Sequence, residues 1–296
     1  MEILYHRGFA GLESNSRKSL VVDRKTEISN LLANLPRLGV GLAYQSQHYQ
    51  KVLKSQPNLD FLEVVADDYL LAAPEKLDEL ERLTEHFTLI PQSLGLSLGS
   101  AEGLSDEHLI RVSELIKELR PPWWSEQIGY THAGGVQLGR PAPLPFTREA
   151  IDVVAKNMIT VRRRIAAPLI LENPEFDLEL PGAEMQEGEW VNEVLGWGGC
   201  GMLLDVSRFF RHEVKRGADP FRMARRLPLD RIVQINVGEQ LESSTGDVWK
   251  LLDEVVKSAP VRGIVIEQQE EFSAFENLLD QVARAREIGQ QHGRWN

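Results

Sequence analysis

The stretch PLILENPEF, residues 168–176, carries an apolar run, Leu169 to Leu171, straight into a carboxylate, Glu172, with Asn-Pro immediately behind it. Proline has no amide hydrogen to give a ladder, so neither a regular strand nor a helix continues past that point. The arrangement recurs in GMLLDVSRF, residues 201–209, which presents Asp205, and in GIVIEQQ, residues 263–269, which presents Glu267. Short continuous apolar runs belong to strands buried on both faces, as in a parallel sheet. Three such strands ending on an acid put three acids along one edge of that sheet.

Apolar runs recur at residues 38–44, 60–65, 88–96, 123–130, 168–173, 201–206, 231–238 and 262–268, giving eight candidate strands. Segments of helical period lie between most of them. Residues 73–87 place Leu77, Leu80, Leu83 and Phe87 on one stripe behind Pro74. Leu109, Val112, Ile116 and Leu119 follow a Ser105 cap, and Ile151, Val154, Met158, Val161 and Ile165 follow Thr147. Residues 273–289 repeat the pattern. Eight strand-helix units in one chain predict an α/β fold, a closed (β/α)8 TIM barrel over residues 37–296, behind an N-terminal extension of residues 1–36 with a short helix in TEISNLLANL. A Rossmann-like sheet is the runner-up. It lacks the glycine fingerprint, since GWGGCG (196–201) precedes a strand and reads as a turn.

With 33 basic against 44 acidic residues the formal charge is -11, which argues against nucleic acid or anionic lipid as a partner. No run approaches the roughly 20 apolar residues of a membrane span. The single cysteine, Cys200, and a start without a basic segment followed by a long apolar one point to the cytoplasm. Cys200 has no basic neighbour in sequence to activate it as a nucleophile.

In a parallel barrel the strand C-termini converge on one mouth. Applied strand by strand, this rule gathers Glu63, Gln92, Glu126 with Gln127, Glu172, Asp205, Gln234 or Asn236, and Glu267. So many carboxylates require a cation, bound protons or an infolded base such as Arg208. The bland reading of a single acid at a strand end is a helix cap, and Glu63 and Glu126 sit in an alternation that would also let them face the helices. His48 after the first strand is a further candidate for the mouth, with a helix-start or surface position as its bland reading, and the same two readings apply to His132 and His212. Trp123 and Trp124 read as core, and the VRRRI helix end (161–165) as solvated.

GVGLAYQSQHYQKVL, DFLEVVADDYL, SLGLSLGS, WSEQIGY, PAPLPFTREAI, LILENP, GMLLDVSRF and GIVIEQ, in this order between Leu38 and Gln269, resemble the DUF692 family, also called multinuclear non-haem iron oxidative enzymes (MNIO). The resemblance implies a TIM barrel of the xylose-isomerase-like group. It also implies oxidation of residues in ribosomally made precursor peptides by two or three irons and oxygen, often with a partner protein that holds the leader peptide. Glu126, Glu172, Asp205 and Glu267 match family positions. Gln92, Gln127 and Asn236 stand where the family carries histidine, and EQLESSTGDVW lacks the family's following aspartate and histidine. Histidine is a good iron ligand, whereas an amide offers a weak neutral oxygen. The chain is therefore read as a divergent member whose multinuclear cluster is lost.

Three functional readings follow. In the first, Glu172, Asp205 and Glu267 hold one divalent ion, Fe, Mn or Mg, with Gln92, Asn236 or water completing the shell and Glu172 or Glu126 as catalytic base. In the second, no metal is held, and the barrel serves as a peptide-binding or scaffold subunit for the precursor peptide, a leader-binding partner protein or an intact family member. The third, a sugar isomerase or epimerase, expects a histidine where Asn236 stands.

Overall fold

Each of the eight apolar runs forms a strand in the computed structural model, which describes residues 28–174, 180–238, 245–268 and 274–296. The strands β1 (Gly39–Ala43), β2 (Phe61–Val65), β3 (Thr88–Ser93), β4 (Trp124–Gln127), β7 (Leu169–Glu172), β8 (Gly201–Asp205), β9 (Ile232–Gly238) and β10 (Gly263–Glu267) are all parallel and close in the order β1-β10-β9-β8-β7-β4-β3-β2. Closure excludes the open Rossmann-like sheet. The helices are α1 (residues 28–33), α2 (Tyr49–Lys54), α3 (Pro74–Thr84), α4 (Asp106–Leu119), α5 (Arg148–Arg164), α6 (Glu187–Gly198), α7 (Val206–Lys215), α8 (Pro220–Ala224), α9 (Thr245–Ser258) and α10 (Phe275–Gln291). Residues 1–27 of the N-terminal extension, and residues 239–244 at the start of EQLESSTGDVW, lie outside the described residues.

The caps behave as their chemistry requires. Ser105 accepts from the His108 amide at 3.3 Å and Thr147 from the Ala150 amide at 3.2 Å, each satisfying an orphan donor of a helix start. The apolar stripes of α4 and α5 are buried, except that Leu119 at the end of α4 is only partly so. In α3, Leu80 and Leu83 are buried but Leu77 stays 42% exposed. At about 100° per residue, steps of three drift around the helix, so Leu77 lies about 120° from Leu83 and leaves the buried face. Of GWGGCG, read as a turn, Gly196–Gly198 end α6 and Gly201 begins β8; the turn is Gly199-Cys200, with Gly199 left-handed at φ 66° as the cap of α6.

Two apolar layers result. Leu62, Leu89, Trp124, Leu171, Leu204 and Ile266 point outward under the helices, while Phe61, Ile90, Trp123, Ile170, Leu203 and Val265 fill the barrel. Room for the two large rings comes from glycine. A Cβ on Gly41 would meet the Phe61 carbonyl oxygen at 2.5 Å, and one on Gly263 would meet the Phe61 ring at 3.0 Å. From below, Ile28, Leu32 and Leu35 of α1 and its following turn pack into the same interior cluster. Part of the 1–36 extension thus stoppers the barrel base, each fully buried aliphatic chain contributing roughly 1.5–3 kcal/mol gross.

Between β4 and α5 the sequence pattern predicts no element, yet β5 (Tyr130–Ala133) and β6 (Val136–Ala142) form an antiparallel hairpin there. Gly134 and Gly135, at φ 60° and 74°, supply the two left-handed residues that such a tight turn requires. Among the described residues no helix is long and apolar enough to cross a membrane.

Candidate functional site

Side chains alternate along a strand, so each inward apolar residue predicts which residue two places on also faces the barrel axis. Phe61 leads to Glu63, Ile90 to Gln92, Ile170 to Glu172, Leu203 to Asp205 and Val265 to Glu267. These polar residues form a layer directly above the apolar filling. Its floor contact is Trp123, whose indole N–H donates to Gln234 Oε1 at 2.8 Å.

That contact fixes the polarity of a chain of hydrogen bonds. Indole is a donor only, so the Gln234 oxygen must face it and the Gln234 amide nitrogen must face the other way. Gln234 Nε2 donates to Glu63 Oε2 at 2.5 Å and to Asn236 Oδ1 at 2.8 Å. With its oxygen so engaged, Asn236 Nδ2 donates to Glu63 Oε1 at 2.8 Å and to Glu267 Oε1 at 2.7 Å. Across the mouth Gln92 Nε2 donates to Glu172 Oε2 at 3.0 Å, and Gln127 also bonds Glu172.

Arg208, at the start of α7, reaches the remaining carboxylate oxygens. Its Nε lies 2.6 Å from Asp205 Oδ2, one terminal nitrogen 3.4 Å from Glu172 Oε1 and the other 4.0 Å from Glu267 Oε2. Asp205 is also the cap of α7, its Oδ1 accepting from the Arg208 amide at 2.9 Å, so the bland and functional readings of this acid coexist. Asn173, which the sequence marks only as part of a strand breaker, positions Asp205 by accepting from its amide at 2.9 Å.

Burial dominates the proton affinities. Glu63 is pushed up to about 7 by desolvation, against the pull of the Gln234 and Asn236 hydrogen bonds. Burial also raises Glu172 and Asp205, outweighing Arg208, and lifts Glu267 well above the usual range with help from the Asp205 and Glu63 charges. Burial thus favours the protonated form of each of these acids, with Glu63 itself near half-titration at neutrality.

Glu172, Asp205, Glu267, Glu63, Gln92, Gln127, Asn236 and Arg208 are thus brought together. Glu126 is not. It lies between the inward Ser125 and Gln127, on the outward parity of β4, and its carboxylate accepts from the amides of Gln127 at 3.0 Å and Leu96 at 3.3 Å. The period-2 pattern of WWSEQ, with Trp123 inward, carried that information. His48 is buried at the rim, its Nε2 2.7 Å from Gln268 Oε1 and its ring against Phe275. Burial pushes the Cys200 thiol up to about 12, consistent with an inert core residue. His212 does not sit alone on the surface: with Glu187 and Glu213 it forms a cluster whose ligand atoms lie within 4.8 Å of one another, next to Arg216.

A multinuclear iron cluster does not fit these donors. Gln92 and Asn236 turn N–H groups, not lone pairs, toward the acids, and the Asn236 oxygen faces Gln234. The expected completion of a metal shell by Asn236 is thereby lost. One divalent ion fits better, since Glu172, Asp205 and Glu267 already converge on a single cation, the Arg208 guanidinium.

Comparison with known proteins agrees with both fold and motifs. D-Psicose 3-epimerase from Clostridium cellulolyticum H10 superposes with a TM-score of 0.58 at 13% identity, covering 86% of this chain and 98% of that one. The 3-keto-D-glucoside 4-epimerase of E. coli superposes at 0.54 with 11% identity, covering 84% and 99%. At such identities the likeness is one of fold. In sequence, a UPF0276 protein of Caulobacter vibrioides (strain NA1000 / CB15N) is 28% identical over 262 residues, 84% of this chain and 94% of the relative. One from Chromobacterium violaceum is 29% identical over 269 residues, 87% and 96%. The family profile described as RiPP precursor modification enzyme MbnB/TglH/ChrH matches residues 39–290, a span that includes every strand of the barrel, and the chain belongs to that family.

Proposed function

We propose that this protein acts in the cytoplasm in the maturation of a ribosomally made precursor peptide, as a barrel that binds the peptide at its carboxylate mouth without multinuclear iron oxidation. Family membership supports the peptide as substrate class. The observation that carries the loss of iron chemistry is the amide set: Gln92 and Asn236 donate to Glu172, Glu63 and Glu267, so the mouth satisfies its acids internally. The partner in this reading is an intact family member or a leader-binding protein that the barrel assists. The test is co-purification with a short precursor peptide encoded near its gene, followed by mass spectrometry after incubation with Fe(II) in air. A stable complex with unchanged peptide mass is expected. A peptide that loses hydrogens or gains oxygen would establish oxidation instead, and failure to bind would remove the peptide.

A second reading, one Fe, Mn or Mg ion held by Glu172, Asp205 and Glu267 with Glu172 as base, draws on the convergence of those three acids on Arg208. In it Glu126 holds the turn after β3 rather than the reacting group. Sugar isomerisation or epimerisation has only the fold in its favour.

A further inference from the structure

We propose that Arg208 is the resident cation of the mouth: its guanidinium stands where a divalent ion would sit among Glu172, Asp205 and Glu267, and it excludes such an ion from the wild-type protein. This rests on the reading that the mouth is a metal-free peptide-binding site. Three observations carry it. One guanidinium lies within 2.6 to 4.0 Å of oxygens from all three acids, which belong to three different strands. A single charge reaching two buried carboxylates and a partly buried third does the electrostatic work of a bound cation.

The second observation concerns Asp205. Its Oδ1 is engaged by the helix cap, while Oδ2 is buried and has no well-directed hydrogen bond, although Arg208 Nε stands 2.6 Å away. The contact is one of charge more than of direction, and an oxygen so held is available to a metal ion once the guanidinium leaves. Third, the side chain is the removable part. The cap is made through the backbone amide of residue 208, which any residue but proline supplies, and the Arg208 side chain is 34% exposed, so it enters the mouth from the rim and is not packed in the core. Arg211 also acts on Asp205, more weakly than Arg208.

The arrangement has a consequence that a purely structural ion pair does not. Removing the arginine creates a binding site. Binding of Mn2+ is measured on the full chain by loss of the free-ion EPR signal, a readout independent of any peptide or turnover. The wild type is expected to bind weakly at the mouth, and Arg208→Gln to gain one site tighter by at least about tenfold, the charge exchange at these distances being worth more than that. Arg208→Lys, which keeps the charge, should gain little. The gained site should vanish in Arg208→Gln combined with Glu172→Gln, which separates it from the Glu187, His212 and Glu213 cluster. If Arg208→Gln does not fold, Arg208→Ala takes its place. A wild type that binds Mn2+ as tightly as the variant, a folded variant with no gain, or a gain that survives loss of Glu172 each overturns the proposal. None of these outcomes depends on whether a precursor peptide binds.

Discussion

Glu63 gives a sign and a size that can be checked. Its carboxyl is pushed up from 4.5 to about 7 because burial disfavours the charged form more than the Gln234 and Asn236 hydrogen bonds favour it. The folded state then holds a proton that the unfolded chain has already released. Stability from this group is fully present below pH 4.5 and is lost as pH rises through 7. Integrated between pH 5 and pH 8, the loss is about 2–3 kcal/mol. The perturbation is Glu63→Gln, which removes the titration and keeps the shape. It has a pH-independent penalty as well. Gln234 is oriented by the donor-only Trp123, so one of the two amides that donate to the native carboxylate would face an N–H of the substituted side chain, at about 1–3 kcal/mol. Neutralising residue 63 also relieves Glu267, whose proton affinity the Glu63 charge raises. Urea unfolding of both proteins at several pH values between 5 and 8, without metal, is the assay. The variant should be the less stable at pH 5, and the gap should close or reverse by pH 8. Parallel stability curves would refute the reasoning, since they would mean that Glu63 titrates alike in folded and unfolded chains.

Other consequences concern groups away from the acids. Trp123→Phe removes the donor that fixes Gln234 and should lower stability by about 1–3 kcal/mol, readable as a shifted urea midpoint. Asn157, buried on α5, donates to the carbonyls of Leu98 and Ser100 at 2.9 Å each; Asn157→Ala should speed amide exchange at Gly99 and Ser100. Cys200 should resist a thiol reagent at pH 8 in the folded protein and react fully in urea, because burial keeps it protonated.

The barrel was legible because strand signals in an α/β protein are redundant. Each of eight runs is apolar on both faces, and a mistake at one would be corrected by its neighbours. The convergence of Glu172, Asp205 and Glu267 followed from the same rule, as each ends its strand. Glu126 shows where the rule stops: it is equally near a strand end, but parity turns it outward, and only the inward anchor Trp123 reveals this. The β5–β6 hairpin was missed because β5 has only four residues and Val136 to Gly139 of β6 are exposed, so neither strand carries a buried apolar stripe and Gly134-Gly135 is the one strong cue. The Glu187, His212 and Glu213 cluster joins two helices, and no local pattern announces a pairing of that kind.

The stopper beneath the barrel separates the limits of family likeness from the limits of the folding unit. The matched segment begins at residue 39, after Ile28, Leu32 and Leu35, and ends at 290, before Trp295, whose indole donates to the Arg286 carbonyl and packs on Gly289. A chain trimmed to the match would keep every acid of the mouth and every strand. It would also open the interior face of Ile170, Leu203 and Val233 to water from below and strip the end of α10 of its covering ring. In this protein the packed unit extends at both ends beyond the segment that carries the family's identity.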